Sequence, residues 1–267
     1  MSEAHTVRTL SICESIRQAG SSYLDVLSRP GHFIAASAIW IAVAFALSLA
    51  VAESSGPLPI SGQPRSDQIA INLIDLLAQM ALLIAYCLAW QRIVIRRATP
   101  LGATYVQVLP RYALYDIAAV MALVVILVVL TLPVIFLVKS RAELAVYLAY
   151  VPLLSYVVSL FLFARFTLAF GAAAAGNHEM SLRASWRKLR GSVFAVVIGM
   201  LLLIAPATAL TMAADYIAAA QADSGPPLAR HAIDLLAGFL GFLGTAVGCT
   251  YASRIYLKAI GIEPVAA

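Results

Sequence analysis

Apolar residues fall in six long blocks along the chain, near residues 31–52, 69–91, 113–138, 143–170, 192–215 and 231–257, with short polar connections between them. Polarity does not alternate inside a block: Val120–Val138 and Leu153–Phe163 carry apolar residues on every side of a helix. A bilayer hydrocarbon core of about 30 Å takes about 20 helical residues, and each block has that length. Unpaired backbone amides are costly in lipid, so spans are either helices or closed barrel strands, and barrel strands would alternate. The pattern predicts an all-α, polytopic six-helix transmembrane bundle. It assigns 31–257 to the bundle, 1–30 to a cytoplasmic amphipathic segment and 258–267 to a cytoplasmic tail. Ala50-Val51-Ala52 has the small-x-small form of a cleavage site, but the apolar run is too long for a signal h-region, so an uncleaved anchor is expected.

Two connections are themselves patterned. Val7, Leu10, Ile16, Tyr23, Leu24 and Leu27 recur at near-helical spacing with Arg17, Gln18 and Asp25 between them, which predicts a helix in the cytoplasmic headgroup layer. Between blocks four and five, Leu182, Trp186 and Leu189 line one helical face and Arg183, Arg187 and Arg190 another, and Ser181 or Asn177 can cap it. There is also a trace of repetition. Tyr23–Arg29 resembles Tyr105–Arg111, and Ile74-Asp75-Leu76-Leu77-Ala78 recurs as Ile233-Asp234-Leu235-Leu236-Ala237. The repeats predict three modules, each a surface helix followed by an in-out-in hairpin.

Composition strengthens the membrane reading. Of 267 residues, 62% are hydrophobic and 12% charged, with mean hydropathy +0.92, where a soluble domain has about 45–50% and about 25%. The blocks leave no room for a second, soluble catalytic domain. The net charge is +5, but Lys and Arg are scattered between spans, so anionic lipid headgroups are the expected partner and nucleic acid is not. Arg8, Arg17, Arg29, Arg92, Arg96, Arg97, Arg111, Arg183, Arg187, Lys188, Arg190, Arg254 and Lys258 lie in alternate connections, against Arg65, Lys139, Arg141 and Arg230 in the others. That asymmetry places both termini in the cytoplasm. Cys13, Cys87 and Cys249 and the four histidines share no ligand spacing, so no metal or cofactor is expected. No phosphate-binding glycine loop, nucleophile elbow or zinc-protease motif occurs, so enzyme activity has no support.

Charged groups at membrane depth are candidate functional sites because lipid cannot solvate them. Gln68, Asn72, Asp75 and Gln79 share one face of the second span, where Asp75 would bind a cation or proton, or the stripe would join helices. Asp116 and Arg165 lie at comparable depth on adjacent spans, so an ion pair is a candidate, with snorkelling of Arg165 to the headgroups as the alternative. Arg183, Trp186, Arg187 and Arg190 are candidate lipid-headgroup contacts. Pro133, Pro152 and Pro206 should kink their spans. Gly241, Gly244 and Gly248, with Ala237 and Ala252, form a small-residue face suited to close helix approach inside the bundle or in a homo-oligomer.

Ala89-Trp90-Gln91-Arg92-Ile93-Val94-Ile95 resembles the Trp-His-Arg-x-x-Leu signature of six-span bacterial proteins similar to the membrane domain of glycerophosphodiester phosphodiesterases and to YciC-type inner-membrane proteins, with Gln91 in place of the usual His. Ala164-Arg165-Phe166, followed by Ser181-Leu182-Arg183-Ala184-Ser185-Trp186 and Gly191, is similar to that family's Arg-bearing helix end and Ser-Trp amphipathic segment, although Phe170-Gly171 stands where a Pro is usual. The resemblance implies an inner-membrane domain. It does not imply phosphodiesterase chemistry, which needs an acid- and His-rich soluble domain. The expected function is a non-enzymatic protein that organises lipid or partner membrane proteins; the other reading is a small-solute or ion transporter using Asp75.

Overall fold

A computed structural model describes residues 10–54, 66–97, 102–137, 141–220 and 227–263. Among the described residues it contains eight α-helices and no strand: α1 (Ile12–Leu27), α2 (Pro30–Ser54), α3 (Ser66–Arg96), α4 (Tyr105–Leu137), α5 (Arg141–Ala175), α6 (Leu182–Lys188), α7 (Val193–Ala220) and α8 (Pro227–Ala259). Six of them, all but α1 and α6, are long and apolar enough to cross a bilayer. The chain is a helical bundle of the multi-pass membrane class. Its helices outrun the apolar blocks: α3 and α5 have 31 and 35 residues, roughly 46 and 52 Å at 1.5 Å per residue. The helices α4, α5 and α7 run through Pro133, Pro152 and Pro206.

The chain forms two compact units. One gathers α1 up to Ser21, the stretch Gln91–Leu202, and α8 from Tyr251; the other gathers Ser22–Trp90 and Leu203–Thr250. In the first unit the last turns of α5 are fully enclosed: Leu168, Ala169, Ala172 and Ala174 expose nothing. Small residues permit this. A Cβ on Gly171 would lie 2.5 Å from the Tyr256 Cβ, so α5 and α8 approach as closely as they do only because residue 171 has none. The α5 helix ends in a Schellman motif: Gly176, at φ 73°, donates to Ala173 O (3.0 Å) and Asn177 to Ala172 O (2.8 Å). Gly261 ends α8 in the same way.

The second unit is built on aromatic rings. Phe33 meets Trp90 and Phe239 edge-on, and Tyr86 meets Trp40 and Phe242 edge-on. Each buried polar tip has a partner, as it must where no water competes: Tyr86 OH with Ser37 Oγ (2.9 Å), and Trp90 Nε1 donating to Thr250 Oγ1 (2.9 Å). Outside these contacts Ile39, Leu73, Ile74 and Leu77 are exposed, the arrangement that a lipid solvent favours.

Two expectations need correction, and the structure adds an orientation for α1. Its small and polar face is the packed one, with Ser15, Ala19, Ser22 and Asp25 buried, whereas Ile16, Leu24 and Leu27 point outward. Hydroxyls decide this: Leu10 N–H donates to Ser192 Oγ (2.8 Å), Ser15 Oγ to Ala195 O (2.6 Å) and Tyr23 OH to Leu203 O, and burial holds the Tyr23 phenol above its ordinary pKa. An ion pair between Glu14 and Lys258 adds to the docking. The first correction concerns Tyr105–Arg111, which is not a separate surface helix. It forms the first turns of α4, started by Thr104, whose N–H is taken by Gln107 Oε1 (3.2 Å) in half of a capping box. The second concerns the small-residue face of α8. A Cβ on Gly241 or Gly248 would meet nothing within 4 Å, so neither glycine serves close approach among the described residues.

Candidate functional site

The arginines that sequence counting treats as equivalent divide into two kinds. Arg92 and Arg111 are spent on backbone. Arg92 donates to Ala174 O (2.9 Å), an orphan carbonyl at the end of α5, and to Ala103 O (2.5 Å) just before α4. Arg111 donates to Asn177 O (2.8 Å) and Met180 O (2.9 Å) and, through Nε, to Tyr115 OH (2.9 Å), which fixes the turn between α5 and α6. Arg183, Arg187, Lys188 and Arg190 are exposed, and no described carboxylate pairs with any of them.

The turn fixed by Arg92 and Arg111 folds α6 back along α5. Ser181 is the N-cap, accepting from Ala184 N–H (3.2 Å), while Asn177 serves the turn instead by accepting from Glu179 N–H (2.9 Å). Ser185 and Leu189 are buried; Trp186 is 38% exposed beside the cations. Ser185 Oγ donates to Arg165 O (2.7 Å), and Arg165 Nη1 returns a hydrogen bond to Trp186 O (3.0 Å). The Arg165 guanidinium stands over two rings, 5.2 Å from the centroid of Phe161 and 4.8 Å from that of Trp186. This geometry replaces the expected Asp116–Arg165 ion pair, which does not form. The α6 segment supplies Arg165 with a carbonyl and an indole, and Asp116 has no hydrogen-bond or ion-pair partner among the described residues. The two ends of the Ala164–Gly191 stretch thus meet in space. Phe161 and Ser185 were missed as parts of the site, although Phe161 stands four residues before Arg165 and so on its face.

On α3, Asn72 and Gln79 are exposed and Asp75 is half-buried. Gln79 Nε2 donates to Asp75 Oδ2 (2.8 Å), while Asp75 Oδ1 is buried without a partner. Asp75 and Gln79 are thus joined along their own helix. Gln68 lies outside the residues whose side chains are described. Gln91, between Trp90 and Arg92, is 3% exposed, and its Oε1 has no partner. The Trp90-Gln91-Arg92 stretch is thus a packing node in which the flanking residues are hydrogen-bonded and the middle one is not.

Comparison of the chain with models of protein families, with curated proteins and with solved structures gave no match.

Proposed function

We propose that the protein is a multi-pass protein of a bacterial inner membrane with both termini cytoplasmic, and that it works without catalysis, organising the membrane or envelope by engaging anionic lipid headgroups through Arg183, Trp186, Arg187 and Arg190. The observation that carries this reading is the set of exposed cations on and just after α6 that no described carboxylate neutralises, beside a half-exposed indole. Cations of this kind are attracted to anionic lipid by about 1 kcal/mol each near a membrane surface, and Trp prefers the interface. Lipid retention by the purified protein tests it. Phosphatidylglycerol should be retained over phosphatidylcholine, less so at high salt, and joint Arg183→Gln, Arg187→Gln and Arg190→Gln substitution should remove the preference; equal retention of the two lipids would defeat the proposal. Tags on both ends reachable only from the periplasm would overturn the orientation.

Asp75 favours a second reading, a small-solute or ion transporter, because a carboxylate oxygen without a partner is an acceptor that a cation or proton would fill. Reconstituted protein would then move a cation or solute across liposomes, and Asp75→Asn would abolish the flux.

A further inference from the structure

We infer that Arg165, held against Phe161 and Trp186, is a specific receptor for the phosphate of a membrane lipid. The inference rests on the anionic-lipid reading above and narrows it from a basic face to one oriented guanidinium.

Orientation is settled before any ligand arrives. The Phe161 and Trp186 rings, packed edge to face, both lie against the guanidinium and limit its movement, and the Trp186 carbonyl engages Nη1. The Ser185 hydroxyl ties α6 to the Arg165 carbonyl, so the rings and the guanidinium belong to one rigid corner. A planar donor held in this way loses little freedom when it binds.

Most of its donors are unspent. A guanidinium has five N–H groups; here Nη1 has the Trp186 carbonyl, Nε is buried without a partner, and Nη2 has none among the described residues. Unmet donors on a charged group are costly, and no carboxylate answers them. The N–H groups of Nη2 and the remaining one of Nη1 are adjacent donors that suit a phosphate.

The surroundings point to a lipid as the carrier of that phosphate. Val157, Phe161 and Arg165 follow at four-residue steps on one face of α5, and Val157 is 56% exposed and Phe161 36%. An exposed apolar strip thus leads away from the guanidinium along the helix. A phosphodiester with acyl chains would place its headgroup on Arg165 and a chain on that strip, whereas free phosphate would leave the strip unused.

The test is native mass spectrometry of the full-length protein titrated with phosphatidylglycerol. Wild type should retain a single lipid tightly. Arg165→Gln and Arg165→Lys should each weaken that binding by about tenfold or more, the lysine variant because it keeps the charge but loses the fork. Arg17→Gln, at an exposed cation of α1 outside this corner, should change it within about fivefold. Should Arg165→Gln fail to fold, Phe161→Leu leaves the cation in place and should still weaken retention with an unchanged salt dependence. Wild-type affinity in the Arg165→Lys protein would overturn the inference while leaving the broader lipid reading standing. No preference of wild type for phosphatidylglycerol over phosphatidylcholine would defeat both. Displacement of the lipid by millimolar inorganic phosphate would overturn lipid as the carrier.

Discussion

Gly199 of α7 and Tyr251 of α8 meet where a side chain on residue 199 has no room. The Tyr251 hydroxyl shares a 2.5 Å hydrogen bond with Ser15 Oγ, and a Cβ on residue 199 would fall 2.5 Å from that same serine oxygen. Gly199→Ala is therefore expected to displace α1 and to cost about 1–3 kcal/mol, seen as a lower unfolding midpoint of the purified protein in detergent. Gly241→Ala, which meets open space, should stay within about 0.5 kcal/mol of wild type. Equal losses in the two variants would contradict the packing described.

The two kinds of arginine should separate in stability measurements. Removing the side chain of Arg92 leaves the carbonyls of Ala174 and Ala103 without their donors, so Arg92→Ala should cost about 1.5–3 kcal/mol. Arg187→Ala, at an exposed cation without a described partner, should cost less than about 0.5 kcal/mol. Denaturant titration of both proteins in the same detergent measures the difference.

Gln91 makes the opposite prediction. Its Oε1 is buried without a partner, so replacement by a leucine of similar length removes an unmet acceptor. Gln91→Leu should be neutral or raise the unfolding midpoint, because deleting an unsatisfied buried polar group recovers its desolvation cost of about 1–3 kcal/mol. A clear loss of stability would mean that a partner for Gln91 exists in the membrane.

The orientation of α1 can be read with spin labels on a variant lacking Cys13, Cys87 and Cys249. Labels at Ile16 and Leu24 should be reached by lipid-soluble oxygen, and a label at Ala19 should be shielded and immobile, because Ala19 is 3% exposed and the other two point outward. A label that is freely mobile at Ala19 would reverse the assignment.

Much of the fold is legible in the order of residues because a lipid solvent imposes one requirement on every span, that its backbone bond to itself. Val120–Leu137 needs no tertiary context to be a helix. The termini of α5 and α6 are nearly as legible: Gly176 at the α5 end and Ser181 at the α6 start are local signals that act through their own neighbours. The face that α1 buries is not legible in the same way. Leu24 and Leu27 mark an apolar stripe, but whether a stripe turns toward protein or lipid depends on what the neighbouring helices offer. Here α7 and α8 offer the Ala195 carbonyl and the Tyr251 hydroxyl, which Ser15 satisfies and a leucine could not.

The sequence by itself determined the number of apolar helices, the class of solvent around them and the distribution of cations among the connections, since each depends on composition and period alone. Only the tertiary structure decided which cations remain available. Arg92 and Arg111 are consumed by carbonyls at the end of α5, in the turn beyond it and just before α4, while Arg165 escapes the carboxylate of Asp116 and is held against Phe161 and Trp186. Charge is a property of a residue, but its availability depends on which donors and acceptors the fold brings within hydrogen-bonding distance, and these come from residues far apart in the chain.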